Sequence, residues 1–286
     1  MADRPVVVVE VLDAGALATV QDLGRPGWAH LGVPRSGALD QPAARLANRL
    51  VGNAESAAVL ETTLTGVRLR PDGATTLAVT GARCLVRVGG RAVAWGAGTA
   101  VPAHAEVAVG PAESGLRSYV ALAGGVDVAP VLGSRSTDLL SGLGPAPLRA
   151  GDRIPLGPPG VVPHGVEAVP RPSGSTLRLR LGPRADWFSE EAVDALDGAA
   201  YEVAPDSNRI GLRLSGSPVA RRADELPSEG MVLGAVQVPP SGQPVVFLAD
   251  HPTTGGYPVV GVVLSADLPV CAQARPGDRL TLRVVG

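Results

Sequence analysis

The chain has 286 residues and a formal net charge of −2 at pH 7, with 45% hydrophobic and 18% charged residues. This composition is typical of a compact globular protein and excludes a disordered chain, and the lack of a basic stripe excludes a nucleic-acid binder. All 25 basic residues are arginines, which excludes from this chain a Schiff-base lysine, a Walker-loop lysine and a biotinyl-lysine.

Sequence signals for a membrane span, a metal site or a disulfide are also missing. No apolar run reaches the ~18 residues that cross a bilayer, and the run at 6–9 is too short for a signal peptide. The cysteines and histidines are dispersed, without metal-site spacing, at Cys84, Cys271, His30, His104, His164 and His251. We therefore expect a cytoplasmic protein with reduced cysteines and no metal site.

Short segments rich in valine, leucine and alanine, each bounded by glycine or proline, predict β-strands along the whole chain. In the first half they cover residues 6–12, 66–69, 76–80, 85–88, 106–109 and 117–123. In the second half they cover residues 176–181, 201–203, 210–214, 244–248, 259–264 and 279–285. So many short strands between turns predict a mainly β fold made of barrels or sandwiches.

Two helices are predicted between these strands. Asp40 can cap a helix that ends at Gly52 and presents one apolar face. Ser189 can cap a second helix, which begins with two glutamates and stops at Gly198.

The chain is predicted to form two domains, residues 1–157 and 175–286, with a proline-rich linker at about 158–174. The octapeptide RAGDRIPL at 149–156 closely matches RPGDRLTL at 275–282, an offset of 126 residues. Each copy ends its domain with a Gly-Asp turn that leads into a strand. Together with a helix near the start of each half, this match favours a duplicated β-domain.

Four polar, glycine-rich loops could bind a ligand. In the first, TVQDLGRPG at 19–27, Gln21, Asp22 and Arg25 lie where backbone can approach a ligand closely, although Asp22 and Arg25 could instead pair to stiffen the turn. In the second, Asp40 caps a helix. Further on, Glu61 lies in an apolar run, where a buried carboxylate needs a partner, so a structural ion pair and a catalytic role are both open.

The third loop, GSRSTD at 133–138, offers successive hydroxyl groups and an arginine after a glycine, which could form an anion-binding nest or simply a polar turn. The fourth combines Gln237 with DHPTTGGY at 250–257, directly after a hydrophobic strand. Flexible glycines beside polar groups are what a loop that folds over a small polar ligand requires. The serine-nucleophile, Walker and dinucleotide-binding patterns are all missing, so the residues alone indicate a small-ligand site.

The same loops carry a resemblance to a known family. The segments TVQDLGRPG, GVPRSGALD, ANRLVGN, LETTLTG, AGG followed by GSRST, SEGMVLGAVQVPPSGQP, and TTGGYP followed by ADLPVCAQARPGD occur in this order along the chain. Together they resemble the allophanate hydrolase subunit 2 family, which includes 5-oxoprolinase subunits of the C type (PxpC) and KipA-like proteins and is related to biotin-dependent carboxyltransferases.

The resemblance implies two cyclophilin-like β-barrel domains with a few short helices. It also implies a subunit of an ATP-dependent 5-oxoprolinase, which hydrolyses 5-oxoproline to L-glutamate with a subunit 1 (KipI/PxpB-like) protein and a PxpA-like subunit. ATP would then bind mainly to, or together with, a partner subunit. Two alternatives stay open: half of a biotin-dependent carboxyltransferase resembling that of urea carboxylase, and a KipA-like regulator that binds a KipI-like kinase inhibitor.

Opening a lactam with ATP needs donors for phosphate and acids that move protons. The catalytic candidates are Asp22, Asp40, Glu61 and Asp250. The substrate-binding candidates are Gln21, Arg25, Ser134, Arg135, Ser136, Thr137, Gln237, Thr253, Thr254, Gly255, Gly256 and Tyr257. Among these, the two arginines would bind phosphate, and Thr253, Thr254 and Tyr257 would orient the ring.

Overall fold

The structure is a computed structural model that describes residues 6–160 and 174–286. The described chain divides into two compact units. Unit 1 contains residues 6–25, 40–137 and 142–160, and unit 2 contains residues 26–39, 138–141 and 174–286. The predicted linker at 158–174 lies mostly outside the described residues, and the predicted domain boundaries stay a prediction.

Unit 1 is a curled half-barrel of nine strands with one helix. The strands are β1 (Val8–Asp13), β2 (Leu17–Gln21), β3 (Val59–Thr63), β4 (Val67–Pro71), β5 (Thr75–Val88), β6 (Arg91–Val93), β7 (Thr99–Val101), β8 (Val107–Leu122) and β9 (Arg153–Pro155), and the helix is α1 (Gln41–Leu50). Their order is β2-β3-β8-β4-β1-β9, and β5 pairs with β6, β7 and β8. All of these pairs are antiparallel.

Unit 2 is a closed seven-stranded barrel with a small two-stranded sheet. The strands are β10 (Thr176–Leu181), β11 (Ala200–Val203), β12 (Gly211–Ser215), β13 (Glu229–Gly230), β14 (Ala235–Gln237), β15 (Val245–Phe247), β16 (Thr254–Gly255), β17 (Val259–Val263) and β18 (Arg279–Val285), and the helices are α2 (Glu190–Leu196) and α3 (Leu268–Gln273). The barrel order is β10-β17-β14-β15-β12-β11-β18, and it closes because β18 pairs in parallel with β10. The strands β13 and β16 form the separate sheet.

Short 3₁₀ helices complete the described elements, at Ala29–Leu31, Ala185–Trp187 and Ser265–Asp267. Among the described residues, no helix is long and apolar enough to cross a lipid bilayer, the longest being α1 with ten residues.

The mainly β prediction is confirmed, and the strands at 176–181 and 279–285 have the predicted bounds. The predicted breaks at 81–84 and 110–116 are wrong, because β5 and β8 run through them as single strands. Gly81 and Gly115 have positive φ, and the β5–β8 register shifts between Gly81 and Val86. These glycines therefore mark β-bulges, which bend a long strand without ending it. Helix α3, which has only six residues, was not predicted.

Both predicted helix starts are confirmed. Asp40 Oδ1 accepts a hydrogen bond from the backbone N–H of Ala43 at 3.1 Å, which caps α1. Ser189 Oγ accepts one from the backbone N–H of Ala192 at 3.3 Å, which caps α2. Each cap satisfies a backbone donor that the first helical turn leaves without an intrahelical partner.

The repeated octapeptide folds in the same way in both units. The backbone N–H of its first residue donates to Oδ2 of its fourth, at 2.7 Å in 149–152 and 2.8 Å in 275–278. The third residue is a glycine with φ of +92° in the first copy and +88° in the second. In each copy this turn leads into a strand, β9 in the first and β18 in the second, so the sequence repeat corresponds to a repeated turn and strand. This agreement supports the predicted duplication.

Substitution of one crowded glycine tests the packing of unit 1. Gly66 has φ of +77°, and a Cβ atom there would lie 2.0 Å from the carbonyl oxygen of Val109. Gly90 has a similar φ of +80°, but a Cβ there would meet no described atom within 4 Å. Both changes to alanine strain the backbone by about 1 kcal/mol, and only Gly66→Ala also forces two strands apart, at about 1–3 kcal/mol more.

We therefore expect Gly66→Ala to lower the free energy of unfolding clearly more than Gly90→Ala, as measured by urea denaturation. Equal losses in the two variants would show that the close approach at Gly66 does not exist.

Candidate functional site

The candidate residues form four clusters, two in each unit. In unit 1 we call them the Asp22 cluster, which comprises Asp22, Arg25 and residues 134–136, and the Glu61 layer, which comprises Thr19, Asp40, Glu61, Thr80, Arg117 and Tyr119. In unit 2 we call them the Asp250 cluster, which comprises Ser36, Leu139, Arg209 and Asp250, and the Gln237 loop, which comprises Gln237 and residues 253–257.

The Asp22 carboxylate lies in the turn after β2 and is surrounded by donors. Its Oδ1 accepts hydrogen bonds from Ser134 Oγ at 2.6 Å, from Ser136 Oγ at 2.6 Å and from the backbone N–H of Gly24 at 2.8 Å. Its Oδ2 accepts one from the backbone N–H of Arg135 at 2.6 Å. The anion-binding nest predicted at 133–138 is therefore filled by the protein's own carboxylate, which joins the first loop to the third.

The two arginines predicted to bind phosphate are both engaged with acceptors of the protein. Arg25 is buried, and its Nη2 donates to the backbone carbonyl of Ser136. Arg135 Nε donates to the carbonyl of Val128 at 2.7 Å, and its Nη2 forms an ion pair with Asp127 at 2.7 Å. These contacts favour a role for both side chains in holding the loops in place.

Gln21 and Thr137 lie next to this cluster and belong to its framework. Gln21 is fully buried, and its Nε2 donates to Thr19 Oγ1 and to the carbonyl of Thr137, each at 3.0 Å. The backbone N–H of Thr137 donates to the carbonyl of Val20 at 2.9 Å. The third loop is thereby fastened to the end of β2.

The Glu61 layer crosses four strands in one row. Thr19 lies opposite Glu61, Glu61 opposite Tyr119, and Tyr119 opposite Thr80. All four side chains are buried to 1% exposure or less. The adjacent residue on each of these strands, which is Val20, Leu60, Val79 or Val120, belongs to the apolar interior of unit 1. Because side chains alternate along a strand, the polar row faces the other way, where Thr80 Oγ1 donates to the carbonyl of Ala43 in α1 at 2.7 Å.

Tyr119 is the centre of this layer. Its hydroxyl donates to Glu61 Oε2 at 2.8 Å and accepts the backbone N–H of Asp40 at 2.7 Å. Arg117 Nε lies 3.7 Å from Glu61 Oε1, and both side chains are almost fully buried. Burial, followed by the nearby charges of Glu61 and Asp40, raises the pKa of Tyr119 well above its usual value, so the phenol stays protonated and keeps donating.

Glu61 therefore has the partner that its apolar surroundings require, and the ion-pair interpretation is supported. Asp40 acts as the predicted helix cap. The hydrogen bond from its backbone N–H to Tyr119 also fixes the start of α1 to the sheet.

The Asp250 carboxylate lies in a buried ion pair in unit 2. Arg209 Nε donates to Oδ2 at 2.9 Å and Arg209 Nη2 to Oδ1 at 3.1 Å, and the two side chains are at most 1% exposed. Ser36 Oγ donates to Oδ1 and the backbone N–H of Leu139 to Oδ2, each at 3.1 Å. Arg209 Nη2 also donates to the carbonyl of Gly37 at 2.7 Å. Asp250 thus ties the segments around residues 36 and 139 to the barrel, which favours an anchoring role.

The neighbouring His251 is buried, and its Nδ1 lies 2.7 Å from the carbonyl of Pro252. A carbonyl only accepts, so Nδ1 carries the hydrogen. Burial lowers the pKa of His251, which keeps the ring neutral at pH 7.

The Gln237 loop is the most open of the four clusters. Gln237 ends β14 and is 7% exposed, and its Nε2 donates to the carbonyl of Tyr257 at 3.1 Å. Thr254 and Gly255 form β16, and the carbonyl of Thr253 accepts the backbone N–H of Met231 at 2.9 Å. Tyr257 is 46% exposed.

Neighbouring side chains leave little space for a side chain at position 255. A Cβ atom there would lie 2.7 Å from Gln237 Nε2 and 3.0 Å from Met231 Sδ. Beside Gly256 the nearest atom to such a Cβ is the carbonyl oxygen of Leu226 at 3.5 Å, an ordinary contact. Gly255 therefore leaves room for the Gln237 amide beneath the loop.

Sequence reasoning missed several members of these clusters. Among them are Arg117, Tyr119 and Arg209. Sequence reasoning also missed Arg221, a neighbour of the Gln237 loop whose guanidinium carbon lies 6.0 Å from the centre of the Tyr257 ring. Alternation along the strand predicted at 117–123 places Arg117 and Tyr119 on one face, a signal that could have paired them with Glu61. Arg209 and Arg221 lie in loop segments without a distinctive pattern.

In the part of the chain that the structure describes, no three His, Cys, Asp or Glu side chains are grouped so that they could hold a metal ion.

Comparison with known proteins assigns the chain to a family. Residues 31–284 match the family described as carboxyltransferase domain, subdomain A and B. The chain belongs to this family. Among curated relatives, the C-type subunit of the 5-oxoprolinase of Escherichia coli is 39% identical over 278 residues, which cover 95% of this chain and 89% of the relative. The resemblance drawn from the motifs is confirmed.

Solved structures agree with this carboxyltransferase-domain assignment. The crystal structure of TTHA0988 has a TM-score of 0.88 and 36% identity, covering 100% of this chain and 57% of that chain. The K. lactis urea amidolyase has a TM-score of 0.91 and 30% identity, covering 99% of this chain and 19% of that chain. This carboxyltransferase-domain chain therefore spans only part of the length of both solved proteins.

Removal of the Tyr119 hydroxyl tests the Glu61 layer. Tyr119→Phe removes the charge-assisted hydrogen bond that the phenol donates to Glu61. It also removes the oxygen that accepts the backbone N–H of Asp40, so we expect the free energy of unfolding to fall by about 3 kcal/mol. Tyr201→Phe is the matched control, because it removes one neutral hydrogen bond to Ser217 at 3.1 Å and should cost about 1 kcal/mol. Urea denaturation of the two variants measures the difference.

The same variant has a pH signature. The pKa of Tyr119 in the folded protein lies above the usual value of about 10, so unfolding above that pH releases a proton. Wild-type stability should therefore fall as the pH rises above about 10, and Tyr119→Phe should remove part of this fall. An identical pH dependence in the variant would contradict the buried placement of Tyr119.

Truncation of Asp250 tests its anchoring role. Asp250→Ala leaves Arg209 buried without its carboxylate, so we expect the free energy of unfolding to fall by about 3–5 kcal/mol. The matched control is Asp206→Ala, which breaks an exposed ion pair with Arg213 at 3.0 Å and should change the stability little. If both variants unfold at the same denaturant concentration as the wild type, Asp250 does not anchor these segments.

Proposed function

We propose that this chain is the C-type subunit of a prokaryotic ATP-dependent 5-oxoprolinase, which hydrolyses 5-oxoproline to L-glutamate together with partner subunits. The observation that carries the proposal is the 39% identity to the C-type 5-oxoprolinase subunit of E. coli across 89% of that protein. Because the match covers 95% of this chain, it includes residues of both units and of all four clusters.

The chemistry explains why ATP is needed. A lactam carbonyl is a poor electrophile, and transfer of the γ-phosphoryl group of ATP to its oxygen activates the ring carbon. Water then adds to that carbon, the ring C–N bond breaks, and the nitrogen takes up protons to give γ-glutamyl phosphate. A second water hydrolyses this acyl phosphate, which releases L-glutamate and phosphate. Each step needs donors near developing negative charge and a group that moves protons.

Within this scheme the candidate acids of this chain are proposed to hold its loops and strands in position and not to transfer protons. Asp22 accepts four hydrogen bonds and Asp250 is paired with Arg209. Glu61 is held by Tyr119 and Arg117. A carboxylate that is already occupied by fixed donors is poorly placed to act as a general base, so this arrangement supports proton transfer by groups of a partner subunit.

The partners and ATP are part of the same proposal. A KipI/PxpB-like subunit and a PxpA-like subunit would complete the enzyme. The greater length of TTHA0988, of which this chain covers 57%, fits an arrangement in which further polypeptide accompanies the matched region. Arg25 and Arg135 are engaged with protein acceptors, which supports binding of the ATP phosphates mainly by a partner.

A second candidate function is half of a biotin-dependent carboxyltransferase. It is favoured by the family description and by the match to K. lactis urea amidolyase. The chain has no lysine that could carry biotin, so a separate carrier would have to supply carboxyl-biotin. The third alternative, a KipA-like regulator, stays a prediction.

Reconstitution tests the function. The chain is purified with a KipI/PxpB-like and a PxpA-like subunit from the same organism, and L-glutamate release from 5-oxoproline is followed with and without ATP. We expect ATP-dependent release that disappears when this chain is omitted and returns when it is added back.

The other outcomes separate the alternatives. Carboxyl transfer from a biotin carrier, with no glutamate release, would favour the carboxyltransferase. Tight binding to the KipI-like protein without turnover by the complete mixture would favour the regulator. Either result would overturn the oxoprolinase proposal.

A further inference from the structure

Two polar atoms near Tyr257 have no hydrogen-bond partner among the described residues. Gln237 is more than nine-tenths buried, with 7% exposure, and its only hydrogen bond to those residues runs from Nε2 to the carbonyl of Tyr257. Its Oε1 therefore accepts nothing from the part of the chain that is described. Arg221 Nε is buried and unpartnered there. A buried polar atom is normally satisfied, so Arg221 Nε requires an explanation, and Gln237 Oε1, which is not fully buried, is accessible to a ligand.

The Gln237 amide is held in one place by rigid elements. Gln237 ends β14, which pairs with β15 and β17 inside the closed barrel. Its hydrogen bond to Tyr257 fixes which end of the amide is the nitrogen. Gly255 keeps the space beside that nitrogen free. The side chain is therefore preorganised, which is a requirement of a binding site.

The free groups of this amide match one kind of ligand. Gln237 offers an acceptor, Oε1, and one N–H that is not used by Tyr257. A lactam ring forces its amide to be cis, so its own N–H and C=O lie side by side and can pair with such an acceptor and donor. The lactam would take the place of the partners that Gln237 lacks.

Arg221 supplies a second, different group. Its Nη1 donates to the carbonyl of Arg222 at 2.9 Å, and no described carboxylate forms an ion pair with it. Its guanidinium carbon lies 6.0 Å from the centre of the half-exposed Tyr257 ring, a distance at the limit of a cation–π contact. A guanidinium group with free donors is suited to a carboxylate.

Both side chains lie next to Tyr257. Gln237 donates to the backbone carbonyl of Tyr257, and Arg221 lies over the Tyr257 ring. We propose that Gln237, Arg221 and Tyr257 form the subsite for a five-membered lactam that bears a carboxylate. Gln237 binds the amide, Arg221 binds the carboxylate, and the Tyr257 ring covers the ligand. Urea and the ureido ring of biotin offer a similar amide edge but no adjacent carboxylate, so Arg221 is the residue that selects among them.

The naming of 5-oxoproline as the natural ligand rests on the proposed function, whereas the site itself rests on these contacts. Binding is therefore measured separately from turnover, by calorimetry on the assembled complex without ATP. The probes are L-5-oxoproline, 2-pyrrolidinone, which lacks the carboxylate, and L-proline, which lacks the lactam carbonyl. The variants are Gln237→Ala, Arg221→Gln and, as a matched control on the neighbouring exposed arginine, Arg222→Gln.

We expect Gln237→Ala to weaken L-5-oxoproline and 2-pyrrolidinone by about tenfold or more. Arg221→Gln should weaken L-5-oxoproline about tenfold and leave 2-pyrrolidinone unchanged. L-Proline should bind poorly to the wild type, and Arg222→Gln should match the wild type throughout. Thermal melts of each variant check that it is folded, and the Arg221 arm stays decisive if Gln237→Ala unfolds.

The outcomes for the subsite and for the function are distinguishable. Wild-type affinity for L-5-oxoproline in Arg221→Gln, in a complex that still releases glutamate, would overturn the subsite and leave the function standing. The expected binding pattern in a complex without glutamate release would support the subsite and overturn the function. An equal loss for both lactams in Arg221→Gln would also contradict the assignment of the carboxylate to Arg221.

Discussion

The requirement that a buried or partly buried carboxylate be given donors organises this protein. An unpaired charge in an apolar interior costs several kcal/mol, so each carboxylate brings donors from distant parts of the chain. Asp22 accepts hydrogen bonds from residues 134–136, and Glu61 is paired with Tyr119 and Arg117. Asp250 is paired with Arg209 and accepts hydrogen bonds from Ser36 and Leu139. The polar loops keep their shape because these carboxylates are satisfied.

This requirement also separates residues with a structural role from residues that could bind a ligand. Carboxylates that already accept hydrogen bonds from fixed donors stabilise the loops, and the acids singled out in the sequence are all of this kind. Beside the Gln237 loop, by contrast, the described residues leave open an amide oxygen on Gln237 and a guanidinium nitrogen on Arg221. Both lie beside the Gln237 loop, where Gly255 leaves space next to the Gln237 amide. A lactam with a carboxylate uses an amide and a cation, so the open groups fit the ligand of the proposed function.

The features that could be predicted from the sequence are the local ones. Helix caps at Asp40 and Ser189 depend on residues three positions away, and strands such as Thr176–Leu181 are visible in their composition. Pairs such as Glu61 with Tyr119, or Arg209 with Asp250, join residues 58 and 41 positions apart. Their geometry depends on the register of paired strands and on the paths of the loops that bring distant residues together, which composition does not encode. Gly81 illustrates the same limit, because a glycine reads as a strand end whether it forms a turn or a bulge.

A crystal structure of the assembled complex with L-5-oxoproline bound, in the absence of ATP, tests this division of roles most directly. We expect the lactam to bind the Gln237 amide and its carboxylate to bind Arg221, with the hydrogen bonds of Asp22 and Asp250 unchanged. A ligand bound directly to Asp22 or Asp250, with Ser134 or Arg209 displaced from that carboxylate, would contradict it.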